Sequence, residues 1–179
     1  LGRDEPALEL RPLIRHRAPL DAIVLIVTAL AAIPVGAIAV LFAWRAVTTP
    51  TDGGAIAIST AMVALLVATW GTSPTAYRLE PGRLVVERPL GEIPYPLAGL
   101  VEATPQDGLG LAVRVGNGGL FGITGWFWSR RLGWFRVHAR KVRGGVVLRW
   151  PDRIVMVMPE DAGRFVRDVD RFARNLGAV

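Results

Sequence analysis

Twenty-three consecutive residues, Ala22 to Trp44, carry no charged side chain: AIVLIVTALAAIPVGAIAVLFAW. About 20 apolar residues carry an α-helix across the hydrocarbon core of a bilayer, so this run predicts a membrane-spanning helix over 22–44. Pro34 and Gly36 near its middle are tolerated in such helices and predict a kink. A second uncharged run, Gly53 to Ser73, has a strongest part of only 16 residues, Ala55 to Trp70. It predicts a second span over 55–73, helped by its flanks or a thinned bilayer. A buried core helix or a re-entrant segment is the competing reading. Trp44 and Trp70 stand at the ends of the two runs, where an indole gains from the headgroup level. The first run lies behind 21 residues rich in charged side chains and lacks a small-residue cleavage site, which argues against a signal peptide.

Orientation follows from the basic residues. Arg3, Arg11, Arg15 and Arg17 lie in the arm before the first run, 1–21, whereas the connection over 45–54 holds one Arg and one Asp. The positive-inside rule then puts both ends on the cytoplasmic side and the connection outside. The chain has no cysteine, which suits that side. Residues 1–74 hold five basic and five acidic side chains, so the net charge of +6 belongs to residues 75–179. Arg130, Arg131, Arg136, Arg140, Lys141, Arg143, Arg149 and Arg153 crowd one part of that half, with Asp152 the only acid among them. Beside a membrane such a patch gains about 1 kcal/mol per basic residue from anionic lipid headgroups. Nucleic acid is a poor partner, because no helix-turn-helix, zinc or RNA-binding signature accompanies the charge.

From Thr75 the long apolar runs give way to short β-rich segments separated by turn residues. Candidate strands are 76–79, 84–88, 89–96, 99–104, 111–115, 134–140, 146–150 and 153–158, with Pro81-Gly82 and Pro151-Asp152 as tight turns. Alternation in the last leaves neither face polar, which predicts a strand covered on both sides. Ala162, Phe165, Val166, Val169, Phe172, Ala173 and Leu176 then recur at helical spacing behind Glu160-Asp161, with Gly177 as the stop. This apolar stripe predicts a helix that closes one end of a β-barrel or sandwich.

Between Gly116 and Arg143 glycines, aromatics and arginines are packed together, GNGGLFGITGWFWSRRLGWFRVHARKVR. Neither the Gly-Lys-Ser of a P-loop nor the strand-to-helix setting of a dinucleotide fingerprint is present. Three readings stay open: a long inter-strand loop whose rings pack inward, a docking surface, or a small-ligand pocket. Phe121, Trp126, Phe127, Trp128, Arg130, Arg131 and Trp134 are the expected partner or membrane contacts. Catalysis has little to work with. His16 and His138 are far apart, Ser59, Ser73 and Ser129 sit in no nucleophile motif, and Glu160-Asp161 reads as helix initiation. No His or Cys cluster suggests a metal. An enzyme and a cofactor are therefore not expected.

The order of elements, antiparallel strands followed by one amphipathic helix, is that of a pleckstrin-homology domain. Tyr77-Arg78-Leu79 leading to Leu84-Val85-Val86, Ile93-Pro94, the run GGLFGITGWFWSRRLGWF, and Val155-Met156-Val157-Met158-Pro159-Glu160-Asp161 resemble the bacterial pleckstrin-homology-like domains that follow membrane spans. The resemblance covers roughly 75–176. It implies a PH-like antiparallel barrel or sandwich over 75–179, capped by the C-terminal helix, with a non-enzymatic role at the bacterial inner membrane. The phosphoinositide site of eukaryotic members does not carry over, because no Lys-X-Arg pair brackets the first hairpin. Arg83 and Arg88 are accompanied there by Glu80 and Glu87.

Two functions fit these features. In one the chain is an accessory subunit of a larger membrane complex, for which an energy-transducing assembly, respiratory or photosynthetic, is a natural host. Small residues such as Ala29, Ala32, Gly36, Ala61 and Ala64 would let its helices approach those of other integral membrane subunits. In the other the basic, Trp-rich surface binds anionic lipid and organises the bilayer.

Overall fold

A computed structural model describes residues 13–49, 53–110 and 112–176. Along them run β1 (Ile14–Arg17), α1 (Ala22–Thr48), α2 (Gly53–Gly71), β2 (Ala76–Glu80), β3 (Arg83–Glu87), β4 (Glu92–Pro96), β5 (Glu102–Gly108), β6 (Val113–Gly118), β7 (Ile123–Ser129), β8 (Gly133–Ala139), β9 (Arg143–Arg149), β10 (Ile154–Val157) and α3 (Ala162–Leu176).

The two uncharged runs form a helical hairpin. Both helices are long and apolar enough to cross a membrane, and only 17% and 6% of their most apolar windows are covered by the rest of the chain. That low coverage removes the buried core helix as a reading of α2. Asp21 caps α1, its carboxylate accepting from the Ile23 N–H at 3.3 Å. The helix runs on past Trp44 to Thr48 and stops before Pro50, a residue that disfavours helix in its predecessor. Arg45 to Thr48, expected in the connecting loop, are thus helical, and residues 50–52 of that loop lie outside the described residues. α2 ends at Gly71, two residues earlier than its run. Ser59 Oγ donates to the Ala39 carbonyl at 3.0 Å and fixes how the antiparallel helices are aligned.

The strands make two sheets, in the orders β1-β2-β3-β4 and β5-β9-β10-β8-β7-β6. One buried cluster joins Tyr77, Leu79, Leu84, Val86 and Tyr95 of the first sheet to Val146, Leu148, Val155 and Val157 of the second, and to Phe165, Val169 and Phe172 of α3. The expected helix thus closes the sandwich. Asp161 starts it, accepting from the Arg164 N–H at 2.8 Å; its expected stop, Gly177, lies outside the described residues. On the other face of the second sheet, Phe127, Phe135, Val137, Val147, Met156 and Met158 form a separate cluster that Val24 of α1 enters. β10 is therefore covered on both sides, as its sequence implies.

Three expectations need correction. The arm is not separate from the domain: Ile14 to Arg17 pair antiparallel with Leu79 to Ala76, so the domain begins before the helical hairpin. The sheets are not wholly antiparallel, because β10 lies parallel to β8, Val155 beside Arg136 and Val157 beside His138. The Gly- and Trp-rich run is not a long loop; it holds the end of β6, then β7 and β8 with their turns, and β7 pairs with both neighbours. Gly116 and Gly125 face each other across β6 and β7 at φ of 145° and 136°. A Cβ on Gly125 would stand 2.7 Å from the Val115 carbonyl oxygen, so glycine is required at this close approach.

Candidate functional site

Side chains on a strand alternate between faces, and cross-strand partners share one. On β7 this sends Phe127 to the inner cluster and Trp126 and Trp128 to the opposite face. The pairing registers set Trp128 between Val113 and Trp134, and Trp126 between Val115 and Arg136. Further along the same face, β8 and β10 contribute His138, Val155 and Val157, all buried under the first sheet. One sheet face therefore runs out of the core and into the open. There it leaves Val113 (65% exposed), Val115 (62%), Trp126 (48%), Trp128 (39%) and Trp134 (57%) uncovered. Arg136 stacks over the Trp126 ring, 5.9 Å from guanidinium carbon to centroid. Arg130 and Arg131 occupy the turn after β7, beside an open cleft of about 620 Å³ lined also by Val113, Trp128 and Ser129.

Most of the expected contact residues thus come together. Trp126, Trp128 and Trp134 share the strip, and Arg130 and Arg131 edge it. Phe127 is a correction: at 3% exposure it packs against Phe135, centroids 6.0 Å apart, and belongs to the core. Phe121 sits elsewhere, at the β6–β7 tip, with a left-handed φ of 61°. Thr28 Oγ1 accepts from its N–H at 2.8 Å and donates to the Gly119 carbonyl at 3.0 Å, while Ser73 Oγ donates to the Phe121 carbonyl. This joint fastens the second sheet to α1 and to the segment that follows α2. Val113 and Val115 are strip residues absent from the expected contacts, and Arg136, expected in the basic patch, joins them. The signal was the alternation in Val113-Arg114-Val115, continuous with Trp126-Phe127-Trp128 once β7 is read as a strand.

Charge separates this surface from the first sheet. Arg78 reaches Glu80 at 2.7 Å, Glu87 at 3.0 Å and Glu92 at 2.9 Å, and Arg15 reaches Glu87 at 2.6 Å. Hydrogen bonds from arginine, from Arg83 and then Arg78 at Glu80 and from Arg15 at Glu87, hold both carboxyls below their ordinary range. Arg83 joins the set through Glu80, so the three arginines are matched by three glutamates. These three arginines are thereby neutralised by carboxylates of their own sheet. Arg130 and Arg131 have no carboxylate partner among the described residues.

Both histidines are engaged in packing. Burial, and then Arg136 and Arg88, push the His138 imidazole down to about 3, and its Nε2 shares a 2.7 Å hydrogen bond with the Tyr95 hydroxyl. Tyr77 donates to the His138 carbonyl at 2.7 Å. His16 lies 3.1 Å from Asp168, and burial outweighs that carboxylate to hold its imidazole below the usual range. No group of His, Cys, Asp or Glu among the described residues could hold a metal ion.

No curated protein and no solved structure matches the chain. The family model described as Bacterial PH domain matches residues 75–173, which takes in β2 to β10 and most of α3. Two sheets around one core, the closing helix and this match agree: the chain belongs to the bacterial PH domain family.

Proposed function

We propose that the protein is a non-catalytic accessory subunit that stabilises a larger integral membrane complex, anchored by α1 and α2 and docked through the uncovered strip of its PH-like domain. The observation that carries this reading is that one sheet face is core beneath β8 and β10 yet bare on β7 and β6. Trp and Arg are the residues most enriched where binding energy concentrates, and here they lie in adjoining rows. Both chain ends lie on the cytoplasmic side of a bacterial inner membrane in this proposal, as the arginines around the helices favour.

The test is purification from native membranes in mild detergent. The wild-type chain co-purifies in fixed stoichiometry with integral membrane subunits. Truncating Trp126 and Trp128 together to Ala weakens that association by about 30-fold or more, since a central Trp is worth about 2 kcal/mol. Membrane insertion is unchanged. A wild-type protein that elutes free and monodisperse would count against the proposal.

A second reading, adsorption to anionic lipid, is favoured by one observation: among the described residues Arg130 and Arg131 have no carboxylate partner like those that neutralise the arginines of the first sheet. It predicts that purified protein in vesicles recruits anionic lipid around itself, and that added salt weakens the effect.

A further inference from the structure

The strip is not the only apolar surface left open. Leu90, in the turn between β3 and β4, is 55% exposed, and its N–H donates to the Gly71 carbonyl at the end of α2. Leu120 and Phe121, at the tip between β6 and β7, keep part of their side chains uncovered while that tip is bound to Thr28 and Ser73. Two separate turns of the domain are therefore attached to the two helices.

The helix alignment puts both attachments at one height. Counting forward along α2 and back along α1 from the Ser59–Ala39 hydrogen bond sets Trp70 opposite Thr28 and Gly71 opposite Val27. Leu90 and the β6–β7 tip thus stand level with Trp70, an exposed indole at the end of α2. At the other end of the hairpin the exposed Trp44 lies sixteen residues beyond Thr28, about 24 Å at 1.5 Å per residue. Tryptophans prefer the two faces of a bilayer whose hydrocarbon core is about 30 Å thick. A span bounded by Trp44 and Trp70 accordingly places Leu90, Leu120 and Phe121 at the boundary between headgroups and acyl chains.

From this we infer that the β3–β4 turn and the β6–β7 tip form an apolar collar around the helical hairpin, seated in the lipid of the cytoplasmic leaflet. The occupant is the lipid surface itself, since the collar continues the apolar surface of the helices at the same level. Such a collar fixes the depth of the domain and presents the docking strip at one height. Phe121 is held in its left-handed conformation by the hydroxyl of Thr28 on α1 and that of Ser73, two residues past the end of α2, which keeps the tip from withdrawing. The inference rests on the reading that α1 and α2 span the membrane.

The test uses the full chain in phosphatidylcholine vesicles, without partner. The chain has no cysteine, so Leu90→Cys, Leu120→Cys, Ile33→Cys and Asp152→Cys each give one labelling site for a small fluorophore. Labels at 90 and 120 should be quenched several-fold more by nitroxide lipid labelled at the headgroup end of its acyl chains than by aqueous iodide. A label at 33, exposed on α1, reports the span, and one at 152, exposed in the β9–β10 turn, reports water. If the labels at 90 and 120 follow 152 while 33 lies in lipid, the collar is wrong and the anchor stands. If the label at 33 is itself quenched by iodide, the anchor reading fails and the collar with it. Leu90 is exposed, so its substitution keeps the test valid even where the tip variant folds poorly.

Discussion

Replacing Thr28 by Val keeps the shape of the side chain and removes one hydroxyl. In this structure that hydroxyl makes two hydrogen bonds across the helix–sheet joint, to the Phe121 N–H at 2.8 Å and the Gly119 carbonyl at 3.0 Å. Thr28 is 8% exposed, so neither group is easily rescued by water. An orphaned buried donor or acceptor costs about 1–3 kcal/mol, which gives about 2–4 kcal/mol for the pair when each is taken near the low end. The loss falls on the tip rather than on the whole domain, because the sandwich core lies elsewhere. Local opening of residues 119–122 should then become about 30-fold more frequent or greater. Amide exchange of that segment, followed in lipid nanodiscs by mass spectrometry, reads the change directly, with β2–β4 as an internal standard. Thr28→Ser keeps the hydroxyl and should exchange like wild type. Tip exchange within about a factor of two of wild type in Thr28→Val would refute the reasoning, showing that Thr28 adds nothing measurable to the joint.

The domain should lose stability in acid in two stages. His138 binds its proton less readily folded than unfolded, so its contribution is complete above pH 6.5 and is lost as pH falls from there toward 3. The depressed carboxyls of Glu80 and Glu87 contribute above the ordinary glutamate value of 4.5 and are lost below it. Melting temperature measured against pH should therefore fall below 6.5 and fall further below 4.5, and Glu87→Gln should flatten only the second stage. Gly125→Ala would place a Cβ 2.7 Å from the Val115 carbonyl oxygen at φ 136°, so a loss of about 2 kcal/mol or more is expected in chemical denaturation. Imidazole resonances of His138 should show no protonation until the domain unfolds, and titration near pH 6 in folded protein would contradict its burial.

Much of this architecture was legible in the sequence because its signals are local. A long stretch without charge needs no partner to be read as a helix, and α3 announced itself through spacing and the capping Asp161. What escaped was set by distant contacts. Ile14–Arg17 is four residues with two arginines, and it becomes a strand only because Leu79 to Ala76 lie beside it. The parallel union of β10 with β8 is likewise a tertiary event. β7 was obscured by glycines that normally punctuate loops, whereas here Gly125 permits a close approach inside a ladder. Missing the strand hid the alternation that separates Phe127 from Trp126 and Trp128. The aromatic and basic character of the surface was visible beforehand, but which rings faced outward was not.

The central claim, that a protein partner covers the bare sheet strip, is tested most directly by placing a photo-crosslinking amino acid at position 128 and irradiating intact native membranes. Position 83, on the neutralised face of the first sheet, serves as the comparison. The account predicts one discrete adduct from position 128, carrying an integral membrane subunit, and none from position 83. Equal labelling from both positions, or only lipid adducts from position 128, would contradict it.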